Sequence, residues 1–253
     1  MEEHYIVQVQ SQVQGLVDDL KAVFTHAGLA GEAAEYKLLT QSFLYKFLND
    51  KFLYEALNID ESYDYQGLLN LSEEDYDWFL DDIGTKTAHL KPEQLIESLH
   101  RQQNQADFAE IFEQTLNQIA IDNNAIFSVH TDGGTDIRLF DQRLITDTIS
   151  DTSKRNEVAA SIINLLARVK FDQQIFSQGF DFFSTLFEYM IKDYNKDGGG
   201  KYAEYYTPHS VAKIIAAILV GNDQPSNVKI YDPSAGSGTL LMNLAIQIGT
   251  DRT

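Results

Sequence analysis

Apolar residues recur at spacings of three and four along most of the first 170 positions, and this pattern most constrains how the chain can fold. It is clearest at residues 6–24, and Gly28 follows as a stop signal. The apolar positions of this stretch are Val9, Val13, Leu16, Val17, Leu20, Val23 and Phe24. The spacing predicts an amphipathic helix that buries one face, because positions three and four apart share a side of an α-helix.

The same spacing predicts further helices downstream. Ser72 with Asp75 resembles a capping box, and Pro92 suits a first helical turn. Residues 33–57 are predicted to form one long helix or two short ones. Further helices are predicted at residues 73–83, 92–103, 108–119, 151–170 and 181–194. The apolar runs at residues 126–130 and 137–140 predict a short β-hairpin around the turn Asp132-Gly133-Gly134. The chain is therefore expected to be mainly α-helical up to a glycine-rich break at residues 197–200.

Composition places this helical chain among soluble proteins. Hydrophobic residues make up 43% of the 253 positions and charged residues 23%, enough apolar material for a real core. The sequence contains no cysteine, which excludes disulfides and thiolate metal sites and fits a reducing compartment. No leader and no apolar run of membrane-spanning length occurs. We expect a cytoplasmic protein without a membrane partner.

The formal net charge of −19 argues against direct DNA binding by this chain alone. Proteins that neutralise phosphates with lysine and arginine need a positive field. Any nucleic-acid function would therefore place its contacts in another segment or in a partner subunit. The alternative is that the acidic surface only keeps the protein soluble.

A glycine-rich turn near residue 236 carries the first chemical signal. Residues 228–232 form a short β-branched run that ends at Asp232, and residues 239–248 form an apolar helix. Between them lies Pro233-Ser234-Ala235-Gly236-Ser237-Gly238. A strand, a glycine turn and a helix in this order bind nucleotide-like cofactors, since glycine lets the backbone approach a ligand and free N–H groups at a helix start favour an anion. Phosphate and amino-acid ligands both fit that argument.

Two other nucleotide-binding motifs fit this turn poorly. A P-loop requires lysine after its last glycine, but Thr239 stands there. A dinucleotide fingerprint requires a third glycine at position 241, where the sequence has Leu241. A glycine turn without any ligand stays open on the turn alone.

A second segment lies upstream of the glycine turn, at Glu204-Tyr205-Tyr206-Thr207-Pro208-His209. Thr207 is a candidate N-cap and Pro208 a candidate first-turn proline for a helix over residues 211–220 that ends at Gly221. Taken alone, this segment is also consistent with a plain helix start beside packed tyrosines.

Together the two segments resemble the paired cofactor motifs of N6-adenine DNA methyltransferases, specifically the modification (M) subunits of type I restriction-modification systems. In that family an aromatic-aromatic-Thr-Pro segment precedes the first strand and an Asp-Pro-x-x-Gly-x-Gly segment follows it. Tyr205 to Pro208 match the first, and Asp232, Pro233, Gly236 and Gly238 match the second. The resemblance implies a helical N-terminal domain over residues 1–175 and the start of an α/β, Rossmann-like S-adenosylmethionine-dependent methyltransferase domain over residues 176–253.

The resemblance also implies where S-adenosylmethionine binds. Backbone groups of residues 234–238 would contact its amino-acid moiety, Asp232 would orient the turn or accept from the ammonium group, and residues 204–209 would close over the same end. The implied cofactor-binding residues are Glu204, Tyr205, Tyr206, Thr207, Pro208, His209, Asp232, Pro233, Ser234, Ala235, Gly236, Ser237 and Gly238.

No catalytic residue can be named in this sequence. The family's Asn-Pro-Pro-Phe/Tyr motif, which holds a flipped adenine, does not occur, since the four prolines are Pro92, Pro208, Pro225 and Pro233. We therefore expect an N-terminal portion of the subunit that is inactive by itself. The six histidines show no ligand spacing, so no metal site is expected.

The resemblance implies partners as well: DNA through the assembled complex, a specificity (S) subunit, a restriction (R) subunit and a second M subunit. Two alternatives remain at this point. In the first, the chain is a non-catalytic helical module that docks on other subunits. In the second, it is part of a single-chain restriction or phage-defence DNA methyltransferase.

Overall fold

The computed structural model describes residues 2–31, 33–127, 139–171, 175–176, 207–221, 228–235 and 238–249. The chain divides into two compact units, Met1–Phe180 and Asp181–Thr253. In the described residues both units are helical, and no strand is formed.

The first unit is a bundle whose helices follow the apolar spacing. Its described helices are α1 (Glu2–His26), α2 (Ala33–Ile59), α3 (Tyr65–Leu69), α4 (Glu73–Ile83), α5 (Ile96–Gln102), α6 (Phe108–Asp122), α7 (Asn124–Phe127), α8 (Leu144–Thr148) and α9 (Thr152–Arg168), with a 3-10 turn at Pro92–Gln94. Helix α9 packs against α1, α5 and α6, and α2 packs against α1, α4, α8 and α9. The core therefore lies around α2 and α9.

Most of the predicted helices are confirmed. The face predicted for residues 6–24 is buried in α1, where Val13, Val17 and Leu20 are fully enclosed. Residues 33–57 form one helix within α2. Ser72 caps α4 by accepting a hydrogen bond from the Asp75 N–H at 3.2 Å. Residues 92–103 differ, because they split into the 3-10 turn and α5 at an extended Leu95.

The hairpin prediction is wrong at its beginning. Ile126 and Phe127 are helical in α7, where both N–H groups bond to the Asn123 carbonyl. A local helical turn satisfies these backbone groups without a partner strand. Residues 128–138 of the predicted hairpin and the predicted helix at 181–194 lie outside the described residues.

The second unit is described by two helices, α10 (His209–Val220) and α11 (Thr239–Ile248), which pack against each other. Gly221 ends α10 with φ 57°, as predicted, and Gly249 ends α11. The strand predicted at residues 228–232 is not formed, since these residues have no regular secondary structure. A strand needs a neighbouring strand to pair its N–H and C=O groups, and none lies beside it among the described residues.

Candidate cofactor site

The glycine turn has a defined local geometry at both of its described ends. At its start, the Asp232 carboxylate accepts a hydrogen bond from the Ser234 N–H at 2.8 Å, which forms an Asx turn. At its end, the Gly238 N–H donates to the Ala235 carbonyl at 2.7 Å. Gly236 and Ser237 lie outside the described residues. The two bonds order the described residues at each end of this segment, directly before α11.

Gly238 is required by its backbone conformation. Its φ of 77° and ψ of 7° lie in the left-handed region, where a residue with a Cβ is strained. A Cβ placed there would meet no atom within 4 Å, so the requirement is conformational and the space beside the turn is open. Gly238 is also the N-cap of α11 and makes no side-chain capping bond. The first N–H groups of α11 are thus presented without a side-chain cap, as an anion-binding helix start requires.

Two polar residues of α11 were not singled out by the sequence reasoning. Thr239 and Asn243 are buried, 6% and 4% exposed, in a helix whose other polar residue, Gln247, is exposed. The Asn243 amide donates to the Thr239 carbonyl at 2.8 Å and thereby braces the first turn beneath Gly238. The available signal was their spacing of four on a leucine-rich helix, which places both on one face.

The upstream segment is described only from Thr207 onward, and Glu204, Tyr205 and Tyr206 lie outside the described residues. The prediction that Thr207 caps α10 is wrong, because Pro208 is the N-cap. With φ −54° and ψ 133°, Pro208 is still extended, so the helix begins at His209. The Pro208 carbonyl accepts from Val211 at 3.0 Å and Ala212 at 3.1 Å.

Each predicted segment therefore ends at the N-terminus of a helix, and those two helices pack against each other. Thr207 is half-buried and Pro208 exposed, while Asp232 and Ala235 are half-buried and Pro233 and Ser234 exposed. The turn is thus accessible at Pro233 and Ser234. That the two segments converge on one pocket stays a prediction.

Comparisons with known proteins bear on this same stretch. Residues 178–252 match the family described as N-6 DNA Methylase. The chain is 29% identical over 73 residues to the type I restriction enzyme MpnII methylase subunit of Mycoplasma pneumoniae, an alignment that covers 29% of this chain and 13% of that protein.

A solved structure shares the fold over most of the chain. It is the type I restriction-modification system methyltransferase subunit from Streptococcus thermophilus, with a TM-score of 0.60 and 21% identity, covering 96% of this chain and 50% of that one. The chain thus spans about half the length of that protein. The resemblance drawn from the two motifs is confirmed: residues 178–252 match the N-6 DNA methylase family, and the chain is similar to methylase subunits of type I restriction enzymes over the stretches given above.

Proposed function

We propose that this chain is part of the modification subunit of a type I restriction-modification system, which transfers a methyl group from S-adenosylmethionine to adenine N6 in DNA. The observation that carries the proposal is the family match over residues 178–252, because Asp232 and Gly238 lie inside the matched stretch. On this proposal, residues 176–253 begin the methyltransferase domain and residues 1–175 form a helical domain for subunit contacts.

The described residues fit the amino-acid end of S-adenosylmethionine. Its carboxylate suits the positive end of α11, where the N–H groups after Gly238 have no side-chain cap. Its ammonium group suits the Asp232 carboxylate, which already orders the turn through Ser234. When bound, S-adenosylmethionine supplies a methyl group on a sulfonium centre. This chain's residues would hold and orient that end of the molecule, with Glu204 to His209 closing over it.

The surface of α10 supports the α/β fold proposed for this domain. The small residues Ala212 and Ala216 are buried, whereas large apolar residues are exposed. The exposed residues are Val211, Ile214, Ile215, Ile218 and Leu219. A helix of an α/β domain places such a face against a sheet, so the exposed stripe is the surface on which we expect a parallel sheet to pack.

Methyl transfer also needs a group that holds the flipped adenine. The sequence contains no Asn-Pro-Pro, so we expect no transfer by the chain alone. DNA contacts would come from the assembled complex, with a specificity subunit, a restriction subunit and a second modification subunit, because a net charge of −19 opposes phosphate binding here.

The test begins with a tagged version of the chain expressed in its host, from which the complex that co-purifies with the tag is isolated. Methyl transfer by that complex is then measured. Labelled S-adenosylmethionine and duplex DNA are supplied, and the DNA nucleosides are resolved by mass spectrometry. We expect label in N6-methyladenine with the complex and none with the chain alone. Label confined to cytosine would contradict the reaction, and absence of label from a complex that binds both substrates would favour the docking module.

A further inference from the structure

Helix α4 (Glu73–Ile83) has one packed face and one face that nothing in the described residues covers. Tyr76, Phe79 and Ile83 are buried, and the Phe79 ring contacts Phe52 of α2 at 5.7 Å between ring centroids. On the opposite side of the helix Trp78 is 67% exposed. Because the helical period of 3.6 places Trp78 away from all three buried positions, packing of α4 in the unit leaves this ring in water.

Trp78 is the single tryptophan of the sequence. One exposed apolar side chain is ordinary on a protein surface, so exposure alone decides nothing. Tryptophan is nonetheless the residue most enriched at the centres of protein interfaces, where its large ring anchors a partner. What surrounds Trp78 therefore decides whether this face is a binding surface and for which partner.

Carboxylates surround Trp78 on all exposed sides of α4. Six of the helix's eleven residues are acidic and the helix contains no basic residue. All six are exposed: Glu73, Glu74, Asp75, Asp77, Asp81 and Asp82. Glu74 and Asp82 lie four residues before and after Trp78, which places them beside its ring on the helix surface. Among the described residues, only Asp75 has a local partner, the Ser72 hydroxyl, and no lysine or arginine pairs with the others.

Stability of the isolated unit does not account for this charge pattern. Acidic residues in the first turn stabilise a helix through its dipole, but Asp81 and Asp82 stand in the last turn, where negative charge is unfavourable. Glu73 and Asp77, and again Asp77 and Asp81, are like-charge pairs at a spacing of four, which also destabilise a helix. The face is therefore self-repelling in the free protein, and cations brought by a partner would relieve that repulsion.

We propose that the Trp78 face, formed by Trp78 and the six exposed carboxylates of α4, docks a basic protein surface that places arginine over the indole ring. Arginine meets both features at once, because its planar guanidinium pairs with carboxylates and stacks on tryptophan. Nucleic acid does not fit, since phosphates would face carboxylates. A second copy of the chain presenting the same face is disfavoured by the same repulsion. This inference does not depend on the methyltransferase proposal.

The test is binding of a synthetic peptide that is helical and carries arginines along one face, labelled for fluorescence anisotropy. One variant of the chain carries Asp77→Asn, Asp81→Asn and Asp82→Asn. The matched control carries Glu61→Gln, Glu110→Gln and Glu157→Gln, which removes the same charge from exposed positions elsewhere on the helical unit. Emission excited at the red edge of tryptophan absorption reports on Trp78 alone, because the sequence has no other tryptophan.

We expect the α4 variant to bind the peptide at least about tenfold more weakly than the wild-type chain and the control variant to bind within about twofold of it. Bound peptide should shift the Trp78 emission and protect the ring from quenching by neutral acrylamide. Binding should weaken as the salt concentration rises. Equal weakening in the two variants would show a mere net-charge effect and overturn the proposal. So would an unchanged Trp78 emission at saturation, or a DNA duplex that shifts the Trp78 emission when no peptide is present.

Discussion

At the scale of single residues, a buried polar cluster in the helical unit depends on one carboxylate. Asp50, 9% exposed, accepts from the Lys46 ammonium at 2.8 Å, from the Asn49 amide at 2.8 Å and from the Phe171 N–H at 3.1 Å. Burial lowers the pKa of Lys46, and the neighbouring Asp50 carboxylate opposes that shift. The bond to Phe171 connects α2 to the segment that follows α9. Loss of the Asp50 carboxylate would leave the buried Lys46 ammonium without its partner.

Asp50→Asn should lower the free energy of unfolding by about 3–5 kcal/mol, because Lys46 then stays buried and unpaired. The double variant Lys46→Met with Asp50→Leu should recover part of that loss, since an apolar pair often replaces a buried ion pair without cost. Recovery stays partial because the Phe171 N–H and the Asn49 amide lose their acceptor. The measurement is urea denaturation. Glu97→Gln is the control, because it removes the exposed pair with Arg101 and should cost less than about 1 kcal/mol. Equal losses in Asp50→Asn and Glu97→Gln would contradict this account.

Tyr45 should make stability fall in alkali. Its hydroxyl is buried and donates to the Gln94 carbonyl at 2.5 Å, and burial raises the pKa of the phenol well above its ordinary value. The folded pKa thus exceeds the unfolded value of about 10. The unfolded chain therefore loses this proton first, and stability is full below about pH 10 and decreases above it.

Urea unfolding at pH 8.5 and 10.5 checks the Tyr45 prediction. Tyr45→Phe should lose less stability between the two pH values than the wild-type chain, because the variant lacks the buried Tyr45 phenol while the other buried tyrosines are unchanged. Tyr63→Phe is the control, since Tyr63 belongs to the same unit but is only half-buried. Identical pH dependence in wild type and Tyr45→Phe would refute the assignment.

Residue-level prediction from sequence succeeded where chemistry is local. The motif predicted that Asp232 orients the turn, and the structure gives its carboxylate an Asx bond to Ser234. Gly238, predicted as a backbone contact of the cofactor, has a left-handed backbone, and its contact with the cofactor stays a prediction. The cap of α10 was predicted one residue too early, because a proline fits both the last extended position and the first helical one. Thr239 and Asn243 were missed, since their bracing role depends on the turn that precedes them.

At the scale of elements, the long helices could be predicted from apolar spacing and the short ones could not. Helices α1, α2, α4, α6 and α9 repeat their spacing over several turns. Helices α3 (Tyr65–Leu69) and α8 (Leu144–Thr148) have five residues each, too few for a periodic pattern. The strand predicted at residues 228–232 failed for a different reason, because strand formation depends on a neighbour that a local sequence does not specify.

Helix α3 offers a test of close backbone approach. A Cβ added to Gly67 would lie 1.8 Å from the carbonyl oxygen of Ser62, and the Gly67 N–H bonds to the N-cap Asp64 at 2.8 Å. Gly67→Ala should therefore lower the free energy of unfolding by about 1–3 kcal/mol through overpacking. Gly15→Ala in α1 is the matched control. A Cβ there meets nothing within 4 Å, so alanine should stabilise that helix by about 0.5–1 kcal/mol. Stabilisation by both changes would contradict the packing around Gly67.

At the scale of the whole molecule, the chain combines an acidic helical unit with a second unit that carries the family match. The first, Met1–Phe180, contains the Trp78 face, and the second, Asp181–Thr253, contains the glycine turn. In the part of the chain that the structure describes, no helix is long and apolar enough to cross a membrane. Within the same part, no cluster of three or more histidine or acidic side chains is arranged to hold a metal ion. The division of labour we propose is cofactor binding in the second unit and partner binding in the first.

The measurement that tests the central claim most directly is the affinity of the complete methylase subunit for S-adenosylmethionine, by calorimetry, in wild type, Asp232→Ala and Asp151→Ala. Asp151 is a matched control in the helical unit, because it makes the same Asx turn to Ser153 at 3.0 Å. We predict that Asp232→Ala weakens binding by about tenfold or more, as expected for a lost charged hydrogen bond, and that Asp151→Ala leaves it unchanged. Wild-type affinity in Asp232→Ala would contradict the assignment of this turn as the cofactor site.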